Sequence, residues 1–100
     1  MDNYGIFVVQ LLEDPIEKLE KNDLRFIEIE AIIESIEIES IEIENVYFEK
    51  LFLLIWGDQV QDTVDFYRKG DHVLIEGNLL LNFEFEKNAA IIVIDMFLLF

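Results

Sequence analysis

The chain has 100 residues, 53% of them apolar, and a formal net charge of -15. This length supports one hydrophobic core and therefore one domain, and the apolar fraction excludes a disordered chain despite the charge. The absence of cysteine excludes disulfide bonds and thiolate metal sites. Only seven lysines and arginines oppose 22 acidic residues, so non-specific attraction to nucleic acid or an anionic membrane should be weak.

The amino-acid bias concerns the source of the chain. Residues with AT-rich codons (Phe, Tyr, Met, Ile, Asn, Lys) number 40, whereas Gly, Ala, Arg and Pro together number 10. The bias predicts an AT-rich genome, such as that of an organelle, an endosymbiont or a parasite; the alternative is a β-rich protein that simply favours isoleucine. Residues 1–5 lack the basic region of a signal or transit peptide, and the apolar run from Ala89 is too short to span a bilayer. We therefore expect a soluble protein made where it works.

The first half of the chain reads as strands. Tyr4 to Leu12 form the first, which Pro15 ends because proline donates no backbone hydrogen bond. Residues 16–23 are charged and are predicted to be irregular. The second strand begins at Leu24, and its apolar and acidic side chains alternate with the strand period, as Ile27, Ile29, Ala31 and Ile33 against Glu28 and Glu30.

A five-residue repeat follows, Ser-Ile-Glu-Ile-Glu at residues 35–39 and again at 40–44. Each serine shifts the strand parity by one residue, so the isoleucines stay on one side only if the strand contains a bulge or a turn. We predict an extended acidic hairpin arm at about 34–45, with its turn within 35–45. The repeat itself has two explanations: slippage in an AT-rich gene, or a dedicated binding element.

The second half of the chain contains one helix among three strands. Val46 to Trp56 are apolar on both faces, as expected of a central strand. Asp58 is the predicted helix N-cap and Gly70 the predicted C-cap. The last two strands run over residues 73–85 and 89–100, joined by a turn at 86–88.

This element order predicts an all-β fold: a five-stranded OB-fold Greek-key barrel with one helix between strands 3 and 4 of the five. The barrel would occupy residues 1–100 as a single domain. A helix-capped β-sandwich is the rival fold.

Three short blocks carry a resemblance to a known family. The blocks follow one another at nearly the family's spacing, and they are Trp56-Gly57, Tyr67-Arg68-Lys69-Gly70-Asp71 and Glu76-Gly77-Asn78-Leu79. The family's opening strand is matched by Asn3, Ile6, Leu11, Asp14 and Pro15. The chain is similar here to the bacterial single-stranded DNA-binding proteins. It also resembles the small uncharacterised single-stranded DNA-binding-like proteins encoded in algal plastid genomes. This resemblance implies a plastid (chloroplast) location, with the cytoplasm as the alternative.

The resemblance implies a function and an assembly. The function is sequence-independent binding of single-stranded DNA by base stacking, with RNA as an alternative strand and no role for a membrane. Relatives assemble through the first strand, and the apolar stretch from Ile6 to Leu12 suggests a homodimer or homotetramer here.

The resemblance also implies the binding residues. Trp56 stands where the family stacks an aromatic on a base, although it would equally cap the barrel core. Phe83 and Phe85 lie in the last hairpin, where stacking competes with ordinary core packing. Arg68 and Lys69 match a basic pair that the helix dipole explains as well, and Lys50 occupies a further stacking position without an aromatic side chain.

The acidic side chains argue against tight DNA binding. In an OB-fold, strands two and three face the oligonucleotide, and here these strands and their arm carry eight glutamates that would repel phosphate: Glu28, Glu30, Glu34, Glu37, Glu39, Glu42, Glu44 and Glu49. The alternative function is therefore a protein-interaction or structural module that has lost nucleic-acid binding. We expect no enzyme activity, no cofactor and no metal, because no nucleophile, phosphate-loop or metal motif is present and His72 is the single histidine.

Overall fold

The computed structural model of the protein describes residues 4–19, 24–38, 50–83 and 88–100. Within them the chain forms six strands and one helix. In chain order these are β1 (Tyr4–Leu11), β2 (Glu17–Leu19), β3 (Arg25–Ile38), β4 (Lys50–Trp56), α1 (Gln59–Phe66), β5 (His72–Phe83) and β6 (Asn88–Leu98).

Five of the strands close into a barrel. β1 pairs with β5, β5 with β6, β4 with β3, and β3 returns to β1, all antiparallel, while β6 and β4 pair in parallel. The helix α1 lies between β4 and β5 along the chain. This is the OB-fold, so the predicted all-β barrel is confirmed and the rival sandwich is wrong.

β2 is an addition that the sequence analysis missed, since residues 16–23 were expected to be irregular. Glu17, Lys18 and Leu19 pair with Ile27, Phe26 and Arg25 of β3. Three residues are too few to show a strand period. The strand is held instead by tertiary contacts, because the Arg25 guanidinium donates two hydrogen bonds to the Glu17 carboxylate.

β3 bends at the place where the serine parity shift predicted a bulge. Val8 pairs with Ser35 and Val9 with Ile33, so Glu34 is one extra residue on β3. Of the bulge and the turn that the parity shift allowed, β3 therefore has a bulge at this point. Residues 26–32 pair with β4 and residues 31–38 with β1, so the first part of the predicted arm belongs to the barrel wall. The rest of the predicted arm and its turn lie outside the described residues.

The core fills the barrel from the inward faces of its strands and from α1. Its fully buried members include Phe7, Val9, Ile27, Ile29, Leu53, Ile55, Val60, Val73, Ile75 and Ile91. Gly77 of β5 lies close against the backbone of β6. A Cβ there would overlap the Ile92 carbonyl oxygen and lie 2.8 Å from the Ile91 Cγ2 atom, so glycine is required by the close approach.

The ends of α1 differ partly from expectation. Asp58 is the N-cap residue as predicted, but its side chain makes no capping hydrogen bond. The helix ends at Phe66, and Tyr67 is already extended, with φ -115°. Gly70, with φ 92°, lies in the turn beyond, so the prediction that it caps the helix is wrong. No helix in the described part of the chain is long and apolar enough to cross a membrane.

Candidate nucleic-acid interface

The outward surface of β3 and β4 is the face on which OB-folds hold oligonucleotides. On β4, Leu51, Leu53 and Ile55 point into the core, so the alternate residues point outward. The register gives the outward residues of both strands as cross-strand pairs: Phe26 with Trp56, Glu28 with Leu54, Glu30 with Phe52 and Ile32 with Lys50. We call these eight residues the strand face.

An aromatic pair forms one end of the strand face. The rings of Phe26 and Trp56 are stacked, with centroids 5.2 Å apart and planes inclined by 27°. Trp56 is 38% exposed. Trp56 is outside the cluster of buried core residues, and it presents a surface to solvent that a flat apolar ring could cover.

A lysine extends this pair into a row of three. Lys18 of β2 is directly opposite Phe26, which is directly opposite Trp56. Directly opposed residues of antiparallel strands point to the same side of the sheet. The exposed Lys18 therefore lies beside the aromatic pair, and none of the ion pairs among the described residues involves it.

The middle of the strand face is apolar. Leu54 is only 6% exposed, although it points away from the core. On the neighbouring β6, Ile92 is opposite Leu54 and Ala90 is opposite Phe52. An apolar strip of Trp56, Leu54 and Phe52 therefore runs along β4, over about 13 Å for four residue steps.

The acidic side chains share this face with the tryptophan. Glu30 pairs with Lys50, with 3.5 Å between its Oε1 atom and the lysine Nζ atom. Glu28 is the next outward residue after Phe26 and is diagonal to Trp56. Within the described residues Glu28 has no ion pair, so its charge acts directly on anything that covers Trp56.

Arg25 stands next to the aromatic row but is already engaged. Its hydrogen bond holds the pKa of Glu17 below the usual carboxyl range, and the same bond raises the pKa of Arg25. The guanidinium also donates to the Gln61 side chain at 3.1 Å. Arg25 therefore joins β2 to α1 and is not a free cation for a ligand.

Two of the predicted binding residues lie elsewhere. Arg68 and Lys69 follow the far end of α1, an eight-residue helix about 12 Å long that begins just after Trp56. The Arg68 guanidinium donates to the carbonyl oxygens of Val64 and Tyr67, both at 2.7 Å. The structure does not bring these two residues to the strand face.

Of the two predicted phenylalanines, the described residues include Phe83 and not Phe85. The backbone of Phe83 ends β5 opposite Asn88, at the same end of the barrel as Lys50 and far along β4 from Trp56. Phe85 lies outside the described residues. The roles of Trp56, Lys50, Arg68, Lys69, Phe83 and Phe85 in binding stay predictions.

The sequence analysis missed Phe26 and Lys18. Phe26 had a usable signal, because Ile27 and Ile29 point inward and Phe26 must then point outward beside Glu28. Lys18 had none, because the strand that places it is only three residues long.

Comparison with solved structures shows the same fold in several proteins. One is the single-stranded DNA-binding domain of a Synechococcus protein, with a TM-score of 0.70 and 19% identity over 96% of this chain and 94% of that one. Another is the second single-stranded DNA-binding protein of Mycobacterium smegmatis, with a TM-score of 0.72 and 13% identity over 98% and 89%.

A third is the mitochondrial single-stranded DNA-binding protein of S. cerevisiae, with a TM-score of 0.69 and 15% identity over 99% and 95%. No protein-family model matches the chain, and neither does any curated protein. Identities this low show the shared fold alone.

Proposed function

We propose that this protein binds single-stranded DNA without sequence preference, through the strand face. The observation that carries the proposal is the exposed Trp56 ring stacked on Phe26, with Lys18 beside them. Support also comes from the fold, which the chain shares with single-stranded DNA-binding proteins of bacteria and mitochondria.

Stacking supplies most of the binding free energy in this proposal. A base that covers Trp56 contributes about 1–3 kcal/mol, and it does so for any base because each has a flat π-face. Phe52, which is half-buried farther along the same face, receives another sugar or base of the strand. Lys18 lies where it can neutralise a phosphate beside the stacked base.

Binding is weak because the face is poor in free cations. Glu28 repels the phosphates that flank a base on Trp56, and Lys50 is shared with Glu30. The net charge of -15 opposes the approach of any polyanion.

Fluorescence of Trp56, the single tryptophan, tests the proposal directly. Titration with an oligo-dT strand at low salt should quench and shift the emission, because the base covers the exposed indole. The same titration with a blunt duplex should not, since its bases are already stacked. Phe26→Leu should weaken the single-strand affinity while the fold, followed by circular dichroism, is kept. The proposal would be refuted if oligo-dT at high micromolar concentration left the emission spectrum unchanged.

The same platform accepts RNA bases, so oligo-U belongs in the titration as a parallel arm. In this proposal, no hydrogen-bonding group among the described residues is assigned to the 2′-hydroxyl of RNA. Equal quenching by oligo-dT and oligo-U is therefore the expected result, and a large preference for either would require a contact outside the strand face.

Assembly follows a different surface. β1 pairs along both of its backbone edges, with β3 and with β5, so oligomers cannot form by strand addition over residues 5–10. Any dimer through the first strand must use its outward side chains, where Ile6 is exposed and Val8, Leu74 and Phe97 form a cross-strand row. Sedimentation of Ile6→Glu should then give a smaller mass than the unmodified chain, and equal masses would refute this interface.

The plastid location rests on composition and family resemblance and stays a prediction.

A further inference from the structure

A second surface lies between α1 and β6, away from the strand face. It is an open groove with a cavity of about 280 Å³. Its α1 side contributes Asp62, Phe66 and the following Tyr67, and its β6 side contributes Asp95, Met96 and Leu98. We call it the α1–β6 groove.

Large apolar side chains flank the α1–β6 groove without being buried. Phe66 is 70% exposed and Leu98 is 53% exposed, while Met96 and Tyr67 between them are partly buried against the core. Single exposed apolar residues are ordinary on a protein surface. Two exposed apolar side chains that line one cavity with an apolar floor form a site in which an apolar side chain of a partner can be buried.

The backbone edge of β6 beside the groove is already occupied. β4 pairs with β6 only as far as Ile92, so the residues beyond it face α1. The Gln59 side chain donates to the Ile94 carbonyl oxygen, and the Tyr67 hydroxyl donates to the Met96 carbonyl oxygen at 3.2 Å. The Met96 amide donates to the Asp95 carboxylate at 3.0 Å. These contacts occupy backbone groups of Ile94 and Met96 that an added strand would need, so we expect a partner at this edge to insert side chains.

The rim of the groove is acidic. Asp62 and Asp95 both line it. Burial raises the pKa of the Tyr67 hydroxyl, and the charges of Asp95, Asp71 and Asp62 raise it further. No lysine or arginine is among the described residues that line the groove. The nearest guanidinium, that of Arg68, is turned to the carbonyl oxygens of Val64 and Tyr67.

We propose that the α1–β6 groove binds a short segment of another protein in which apolar side chains alternate with lysines or arginines. The apolar side chains would enter the cavity between Phe66 and Leu98, and the cations would meet Asp62 and Asp95. The cavity is at the lower limit of the usual size of ligand pockets, about 300–1,000 Å³, so it holds one or two side chains and not a domain. A second copy of this chain is a poor occupant, because it brings the same acidic rim and a charge of -15.

A labelled peptide of four Lys-Phe repeats is the probe, and its anisotropy is measured against the full chain. Binding is expected for this peptide and not for the matching Glu-Phe peptide, and it should weaken as salt is raised. Phe66→Ser and Leu98→Ser should each lower the affinity about tenfold, the effect of losing roughly 1.4 kcal/mol of contact. Asp62→Asn should lower it less, about threefold, because a rim charge is partly screened.

Two control variants lie outside the groove. Ile16→Ser removes another exposed apolar side chain, and Glu28→Gln removes another acidic charge, so neither should change the peptide affinity. Phe66→Lys serves as a second groove variant: residue 66 is exposed, so the barrel should fold, and the new charge should repel the peptide.

The outcomes separate this groove from the strand face. Trp56→Ala should abolish oligo-dT quenching and leave the peptide affinity unchanged. The proposal is overturned if the Lys-Phe peptide does not bind, or if Glu28→Gln weakens it as much as Asp62→Asn does. A dimer that Phe66→Ser dissociates would assign the groove to a second copy instead.

Discussion

Glu28 is the side chain whose removal should most improve binding of a single strand. It is outward on β3, one pair along the sheet from the Phe26–Trp56 stack, and no ion pair among the described residues neutralises it. Glu28→Gln removes the charge and keeps the size of the side chain. The perturbation is therefore electrostatic and leaves the packing of the barrel nearly unchanged.

The magnitude follows from the spacing of the sheet. Diagonal neighbours on one sheet face are about 7–8 Å apart, which sets the distance from Glu28 to a phosphate beside a base on Trp56. Two unit charges at about 7 Å repel by about 0.6 kcal/mol in water. Two flanking phosphates double this, and salt at about 0.1 M screens roughly half of the sum. The removal of Glu28 should therefore strengthen binding by about 0.6–1 kcal/mol, or about three- to fivefold.

Anisotropy of a labelled oligo-dT strand measures the change at low and at moderate salt. Asp65→Asn is the matched control, because Asp65 is exposed on α1, away from the strand face, and the new amide keeps an oxygen to accept from Gln61. If Glu28→Gln and Asp65→Asn strengthen binding equally, the whole charge of the protein matters and the local reasoning is refuted. An unchanged affinity in Glu28→Gln would mean that the strand does not pass this side chain.

Three further changes test the barrel and its charges. Gly77→Ala should lower the free energy of unfolding by about 1–3 kcal/mol in urea denaturation, because the new methyl group overlaps the Ile92 carbonyl oxygen. An unchanged midpoint would contradict the close approach. Tyr67 should ionise above the usual tyrosine pKa of about 10, because its folded-state pKa is raised. Tyrosinate absorbance measures this ionisation, with Tyr67→Phe as the control. The contribution of Tyr67 to the free energy of unfolding should be lost as pH rises from about 10 through the higher folded pKa. Arg25 lowers the pKa of Glu17, so Glu17 contributes to the free energy of unfolding above its unfolded pKa of about 4.3. This contribution should be lost as pH falls through the lower folded pKa. If Glu17→Gln does not alter acid unfolding, this linkage is refuted.

The barrel could be predicted because its signals are local. Alternation along the strands fixes which residues point inward, and the extra residue at Glu34 follows from the serine that breaks this alternation. Gly77 marks a close approach that a side chain would block. Each of these signals is contained in a few consecutive residues.

The candidate site could be predicted only in part, because it depends on register between distant segments. Trp56 was a candidate from its position before Gly57, but its partner Phe26 is thirty residues earlier in the chain and meets it only when β3 and β4 align. β2 and Lys18 depend on the pairing of Glu17 with Arg25, which no local pattern announces. The end of α1 was misplaced because Tyr67 leaves the helix and donates to the Met96 carbonyl oxygen on β6.

Most cations near the strand face are already hydrogen-bonded or ion-paired, so the salt dependence of DNA affinity is the most discriminating test of the proposed function. Arg25 is bound to Glu17, Arg68 to backbone carbonyl oxygens and Lys50 to Glu30. Lys18 of β2, beside the strand face, has none of the ion pairs found among the described residues. For single strands, the logarithm of affinity falls with the logarithm of salt concentration by about 0.7 per neutralised phosphate.

One or two contacts, from Lys18 and the partly shared Lys50, therefore give a slope between about -0.7 and -1.4, so stacking on Trp56 must provide most of the affinity. Lys18→Gln should make the slope shallower by about 0.7 and leave Trp56 quenching at saturation intact, whereas Trp56→Leu should lower the affinity at every salt concentration without changing the slope. A steep slope in the unmodified chain would mean that DNA meets a basic surface outside the strand face, and the role assigned here to the Phe26–Trp56 stack would fail.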